Sequence, residues 1–423
     1  MANILILTLV FPPDSVSTAQ IMGDLACDLK LFGHAVTVLT TTPHYNRDFE
    51  AESKQPLKKH WGCLLKKSAY HGIPVFHTLM PKKGRSVLLR LISWTIFHLL
   101  GTFAGIVAIP KPDIIIAPSP PLTIGLSAWI IGWIRRAPFI YNVQEIYPDI
   151  AINLGTIRNS LLIRSLFSLE RFVYKKASRV TVIAAQMRAR LLEKQVEPEK
   201  VVVIPNFVDL SDFGPLAKDN GFSRKYNFYD KFLISYAGNM GPAQQLEVFV
   251  EAAHILRNEA QIHFLLLGDG TQQSTLQRQV EDYNLPNFTF LPYQPYSMMP
   301  QIYAASDLCL VPLASQAGSV AVPSKVYRIM ACARPILANV DVNTDLGRLV
   351  INTKCGAVIA PGKSVALANA IREANRNSEK WIQSGKNGYM HVIENYSRNS
   401  VTKRYNDLIE AVLQAKNVPA SCC

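Results

Sequence analysis

Short apolar runs of strand length recur along this chain, each followed by a loop and then a segment with helical spacing. This alternation constrains the fold more than any other feature. Ile4–Val10 is a continuous apolar run ending at Phe11-Pro12-Pro13, Ala19–Leu31 has helical spacing and stops at Gly33-His34, and Ala35–Leu39 is apolar again. Strand, loop, helix, strand is the βαβ unit of a parallel sheet. Further strands are predicted at Pro74–Leu79, Asp113–Ala117, Phe139–Tyr141, Arg179–Ile183 and Val201–Ile204, which completes a doubly wound α/β domain near residue 205. The pattern starts afresh at Phe232–Tyr236. A helix at Gln245–Arg257, a strand at Ile262–Leu267 and a helix at Gln272–Tyr283 follow, then strands at Phe288–Leu291, Leu308–Val311, Pro335–Ala338 and Ala357–Ile359. The fold class is therefore α/β, with two Rossmann-like doubly wound domains in series: residues 1–205, residues 206–385, and a helical segment over 386–423.

At roughly 150 residues per domain, 423 residues suit this division. With 49% hydrophobic and 18% charged residues, a mostly disordered chain is excluded. The seven cysteines form no CxxC pair and no metal-like spacing with histidine, which favours a reducing compartment and no metal site. The terminal Cys422-Cys423 lacks the form of a prenylation signal. The N-terminal MANILILTLVFPPD has no basic n-region and reads as a first strand rather than a signal peptide.

Charge is unevenly spread. Residues 1–205 hold 24 basic and 13 acidic side chains, and nine Lys/Arg with no Asp/Glu lie between Lys54 and Arg90. Such a surface favours a polyanion such as an anionic membrane face. Leu91–Pro110 follows, with no charged residue over twenty positions, close to spanning length. Its Ser93, Thr95, His98, Gly101, Thr102 and Gly105 and its run into the next strand favour a helix packed on the domain with one face at a membrane surface. Lys82, Lys83, Arg85 and Arg90 would meet its head groups. Leu122–Ile134, ending in Arg135-Arg136, is a second apolar helix.

Ligands of open parallel sheets bind beyond the carboxyl ends of the strands. Two glycine turns lie there, Gly238-Asn239-Met240-Gly241 and Gly268-Asp269-Gly270, where backbone N–H groups can approach a phosphate. Pro323-Ser324-Lys325 opens a helix and offers a hydroxyl, N–H donors and a cation, a set suited to a diphosphate. In the first domain, Glu145 and Asp149 follow the strand at Phe139 and are candidates for handling a sugar hydroxyl or a proton, or for capping the next helix.

Together these pieces resemble a family 4 glycosyltransferase with the GT-B fold, of the bacterial O-antigen and colanic-acid type. The resemblance covers nearly the whole chain. It rests on LTLVFPPDSVSTAQ near the start, KPDIIIAPSPPLTIG at 111–125, YNVQEIYPD at 141–149, VVVIPNFVDLSDF at 201–213, YAGNMGPAQQLE at 236–247, LLLGDG at 265–270, and YAASDLCLVPL followed by VPSKVYRIMACARPILA. It implies transfer of a hexosyl or N-acetylhexosaminyl group, with retention and without a metal. The donor would be a nucleotide diphosphate sugar in the second domain. The acceptor, a saccharide or a lipid-linked one, would lie against the first, the two meeting in the interdomain cleft. By the same resemblance Gly238 and Asn239 fall at donor phosphates, Gly268, Asp269 and Gly270 beside the nucleotide, Tyr293 and Gln294 near the base, and Ser324 and Lys325 beside the diphosphate. Glu145 falls at the acidic position of the first-domain motif and Asn206 at the interdomain crossing. No other cofactor is implied. The expected location is the cytoplasmic face of a membrane, or the cytoplasm.

The sequence departs from that family at several points. Typical members carry two glutamates where this chain has Val320 and Arg328, and an arginine cannot accept hydrogen bonds from ribose hydroxyls. The usual Arg and Lys after the Gly238 strand read as Asn239 and Gln244 or Gln245, and the usual Gly-Gly of the first loop is replaced within Ser15–Thr18. Lys325 and Arg328, one turn apart, would both supply charge to a leaving diphosphate, and Asp341 or Asp345 would replace a lost carboxylate. Two other readings stand beside this one: a sugar-nucleotide epimerase on a similar fold, and a catalytically impaired partner protein. A nucleic-acid role is disfavoured because the basic stretch lacks interleaved stacking aromatics.

Overall fold

The computed structural model describes residues 1–14, 16–44, 49–62, 64–80, 87–153, 155–314 and 323–417. Expectations placed on Ser15, Lys82, Lys83, Arg85, Val320, Cys422 and Cys423, and on the side chain of Arg90, lie outside them. The chain divides into two units. Unit 1 is Met1–Asn206 with Asn399–Cys423, and unit 2 is Phe207–Arg398.

Unit 1 holds nine strands: β1 (Asn3–Leu7), β2 (Ala35–Thr41), β3 (Lys58–Trp61), β4 (Leu65–Tyr70), β5 (Ile73–Thr78), β6 (Ile114–Ser119), β7 (Phe139–Val143), β8 (Arg179–Val182) and β9 (Val201–Val203). They form one sheet in the order β3-β4-β5-β2-β1-β6-β7-β8-β9. Seven of these strands pair in parallel. Their central members are buried on both faces, as continuous Ile/Leu/Val runs require. The β3–β4 ribbon is the exception: it runs antiparallel along one edge, β4 on β5. Its lysine-rich sequence shows no strand alternation, so the sequence reading passed it over. β1 also ends three residues early, at Leu7, because the Thr8 hydroxyl donates to the Val10 carbonyl and turns the chain.

The apolar stretch forms the helix Val87–Val107. No helix among the described residues is long and apolar enough to cross a membrane. This one packs on the helix Thr123–Arg135, where a Cβ at Gly105 would overlap Ile131. His98 bridges the two helices through Ser127 (3.0 Å) and Thr123 (2.6 Å), and burial lowers its pKa to about 4, so the clasp is neutral. Arg135 donates to the carbonyls of Ile106 and Ile109 at the helix end, satisfying acceptors that a helix terminus leaves orphaned.

Unit 2 holds β10 (Phe232–Asn239), β11 (Ile262–Asp269), β12 (Phe288–Leu291), β13 (Leu308–Pro312), β14 (Ile336–Asn339) and β15 (Gly356–Ile359). All are parallel, in the order β12-β11-β10-β13-β14-β15. Strand order reverses between β10 and β13, the switch point where open α/β sheets take ligands. The helix Ser378–Asn395 stays in this unit: Gly385 lies against Ala333 and Gly388 against Cys355 and Met330. The last helix, Arg398–Asn417, belongs to unit 1 from Asn399 onward. There Tyr405 is bonded to Asn142, Asn406 to His34, and Arg404 to the Val203 carbonyl.

Candidate functional site

At the switch point of unit 2, Gly238 and Gly268 are strand residues rather than loop residues, and Gly241 and Gly270 lie just past the strand ends. β10 and β11 run on in register through Gly238↔Gly268 and Asn239↔Asp269. Gly238 has φ +149° and Gly268 φ +136°, which other residues rarely adopt. A Cβ at Gly268 would overlap the Gly238 carbonyl, and one at Gly270 would overlap the Met240 backbone. The two turns are tied by Met240 N–H to Asp269 O (2.8 Å) and Gln272 N–H to Met240 O (2.9 Å). Asp269 folds back to accept the Gly270 N–H at 2.6 Å. The predicted Gly238, Asn239, Gly268, Asp269 and Gly270 thus form one compact backbone surface.

Lys325 reaches it. It is the first residue of the helix Lys325–Ala331, with Ser324 at the N-cap position. Its Nζ lies 3.9 Å from the centroid of the Tyr236 ring, and a Cβ on Gly238 would come within 2.6 Å of the same atom. Tyr236 is fully buried and donates its hydroxyl to the Asn239 carbonyl at 2.6 Å, so the ring is held beneath the turn. No described carboxylate pairs with Lys325. Burial drives its ammonium down to about 7, and the nearby Arg328 pushes the same way. Nothing in the sequence pointed to Tyr236: an aromatic two residues before a strand-end glycine is ordinary core composition.

Arg328 is placed differently from Lys325. Its guanidinium lies over the rings of Tyr296 (4.9 Å) and Phe213 (5.6 Å), neither of which the sequence reading had singled out. Tyr293, just past the end of β12, is half-exposed and near enough to Tyr236 to act on its titration. Gln294 donates to the carbonyl of Pro292 and is half-buried. Asp341 accepts the Asn343 N–H at 2.8 Å and shapes the turn before the helix Asp345–Thr353, whose first residue is Asp345.

In unit 1 the two carboxylates after β7 part company. Asp149 is buried, bonded by Arg190 (2.9 and 3.1 Å) and by Lys194, which also holds Glu170 at 2.7 and 2.8 Å. Glu145 has no hydrogen-bond partner among the described residues, and desolvation raises its pKa. Its turn is fixed through its neighbour. Gln144 accepts from Asn206 (2.8 Å) and donates to Asn142 (2.7 Å), and Asn142 donates to Thr181 (2.9 Å) and Tyr405 (2.8 Å), all of them buried. Asp149 is ion-paired within unit 1, then, whereas Glu145 has no such partner among the described residues.

Two Rossmann-like units, each with such groups at the carboxyl end of its sheet, define a GT-B glycosyltransferase. Residues 18–206 match the glycosyl transferase 4-like domain and residues 231–377 the glycosyl transferases group 1, so the chain belongs to the family 4 glycosyltransferases. It is 27% identical over 395 residues to an Escherichia coli K12 protein named as the colanic acid biosynthesis glycosyl transferase WcaI, covering 88% of this chain and 92% of that one. To a Pseudomonas aeruginosa protein named as the glycosyltransferase WbjE it is 25% identical over 265 residues, 62% of this chain and 66% of that one. Among solved structures, Anabaena HepE in complex with UDP-glucose superposes with a TM-score of 0.73 at 16% identity, covering 97% of this chain and all of that one.

Proposed function

We propose that this glycosyltransferase builds a cell-surface polysaccharide at an anionic membrane face on the cytoplasmic side. It would move a hexosyl or N-acetylhexosaminyl group, with retention, from a nucleoside diphosphate sugar held by unit 2 to a lipid-linked saccharide handled by unit 1. The observation that carries this reading is Lys325, a half-buried cation with no carboxylate partner among the described residues, set against two glycine turns at the switch point of unit 2. Such a site is ready for an anion and has none of its own. The HepE complex with UDP-glucose and the name of WcaI support the choice of donor class and pathway.

In the reaction the bond between the anomeric carbon and the diphosphate oxygen breaks, and its electron pair stays on the diphosphate. Lys325 and the N–H groups of the turns stabilise that charge in a water-poor setting, where such donors act most strongly. The acceptor oxygen bonds to the anomeric carbon on the face the diphosphate leaves, and its proton passes to a diphosphate oxygen. Glu145 orients a sugar hydroxyl. No step in this scheme calls on a metal.

Calorimetry and thermal shift with UDP, GDP, dTDP and their sugars, with and without magnesium, test the reading, with Lys325→Ala alongside. Selective binding of one nucleotide, weakened in the variant, is expected. A folded sample that binds none of them would move the assignment to a degenerate partner protein.

A further inference from the structure

Four lysines of the basic run lie on the β3–β4 ribbon. Its register sets Lys58 opposite Lys67 and Lys59 opposite Lys66. Like charges directly opposite one another destabilise a ribbon. Lys58, Lys59 and Lys67 are exposed and Lys66 is half-buried, and none of the four is ion-paired among the described residues. Edge lysines do prevent edge-to-edge pairing. That role belongs to the outermost strand; of the two lysines on β4, which is bonded on both sides, Lys67 lies over the Phe76 ring at 5.4 Å and Lys66 is left unexplained.

Uncovered apolar surface adjoins these cations. Trp61, which ends β3, is 44% exposed and stacks on Phe103, 52% exposed, with centroids 5.6 Å apart and planes at 22°. Phe103 is the middle of a stripe at four-residue spacing on the helix Val87–Val107, between Leu99 (68% exposed) and Val107 (50% exposed). The inner side of that helix carries the His98 clasp and the Gly105 contact, so the stripe is its outward face.

We infer that unit 1 docks on an anionic lipid bilayer through the lysine ribbon, Trp61 and the Leu99–Phe103–Val107 stripe. This deepens the membrane reading above and rests on it for the choice of partner. Cations draw a protein to such a surface over about a Debye length, and apolar side chains with a tryptophan then settle at head-group depth. Nucleic acid would ask for free aromatic faces among the cations, whereas Phe103 already covers one face of Trp61.

Sedimentation of the full chain with vesicles tests this, using phosphatidylcholine alone or mixed with phosphatidylglycerol, at low and high salt. The wild type is expected to adsorb to the mixed vesicles and to be released by salt. Each lysine replaced by glutamine weakens adsorption by roughly fivefold, and the K58Q/K59Q/K66Q/K67Q variant by at least about a hundredfold. W61S/F103S weakens it while leaving the salt dependence in place. A control set on unit 2, K225Q/K354Q/K363Q/K386Q, adsorbs like wild type. All variants are checked by thermal melting, and the single K59Q and K67Q variants stand in should the quadruple one not fold. Unchanged adsorption of the ribbon variants, equal loss in the control set, or ribbon-dependent RNA binding without vesicle adsorption overturns the inference. Nucleotide binding without vesicle adsorption overturns it alone, and vesicle adsorption through the ribbon without nucleotide binding overturns the donor reading alone.

Discussion

The turn after β7 in unit 1 and the turn after β10 in unit 2 hold comparable places in their sheets and treat buried charge in opposite ways. In unit 1, Asp149 and Glu170 are buried with Lys194 and Arg190 bonded to them, so each charge has its counterpart. In unit 2, the half-buried Lys325 lies against a ring face with a second cation nearby and no carboxylate partner among the described residues. Glu145, four residues before Asp149, behaves like Lys325 rather than like its neighbour. A buried charge with its partner holds the fold. A half-buried, desolvated charge without one raises the free energy of the empty protein, and a ligand that completes it would recover that cost.

The comparison breaks most readily at the two carboxylates. Glu145→Gln is expected to lower kcat by about 10²-fold, as loss of an orienting group does, without lowering Tm. The raised pKa of Glu145 means the folded state binds more protons than the unfolded one above the ordinary carboxylate range, so wild-type stability falls as pH rises through that window. The Glu145→Gln variant should lose this dependence. Asp149→Ala should lose about 1–3 kcal/mol of stability by removing a buried acceptor of Arg190 and Lys194, Lys194 keeping Glu170, while the fraction that remains folded keeps its turnover. Kinetics and melts on the two variants decide it: loss of activity at unchanged Tm in Asp149→Ala would show that the assignments are reversed.

Lys325→Ala should cost about 10²–10³ in rate, or about 3–4 kcal/mol. The pH dependence sharpens this. With the empty-site ammonium at about 7, a bound diphosphate raises its pKa, so affinity for the nucleotide is full below pH 7 and falls by up to about tenfold per pH unit above it. Stability runs the other way. Between about 7 and the unfolded value of 10.5 the unfolded state binds the extra proton, so the folded state gains as pH rises. Lys325→Met should remove both slopes in calorimetry and in pH-resolved melts. The smallest expected effect is at Tyr236. Tyr236→Phe keeps the ring and loses one hydrogen bond, about 1 kcal/mol. Tyr236→Leu also loses the cation–π contact, about 2 kcal/mol when desolvated, and should shift the pH midpoint of nucleotide binding where Tyr236→Phe leaves it in place.

What the sequence disclosed follows from burial. The parallel strands were legible because burial on both faces demands unbroken apolar runs such as Ile114–Ala117. The β3–β4 ribbon was hidden because its residues answer to charge rather than to a core. The strand ends at Gly238 and Gly268 were misread as loop because glycine ordinarily breaks strands, whereas here only glycine permits the backbones to approach. Lys325 and Glu145 could be singled out by position after a strand. That Lys325 is held by Tyr236, and that Asp149 has two cations while Glu145 has none among the described residues, depends on residues 40 to 90 positions away, which no local pattern records.

Unit 2 is a single continuous stretch inserted into unit 1, and its two ends are stitched to each other. Val208 N–H meets the Tyr396 carbonyl and Arg398 N–H meets the Val208 carbonyl, both at 3.0 Å. A gene fragment covering 207–398 therefore encodes a piece whose termini already lie side by side. Unit 1 has no such fragment: shortening the chain from its far end removes Tyr405, and with it one of the buried partners of the Asn142–Gln144 relay beside Glu145, leaving Thr181 and Asn206.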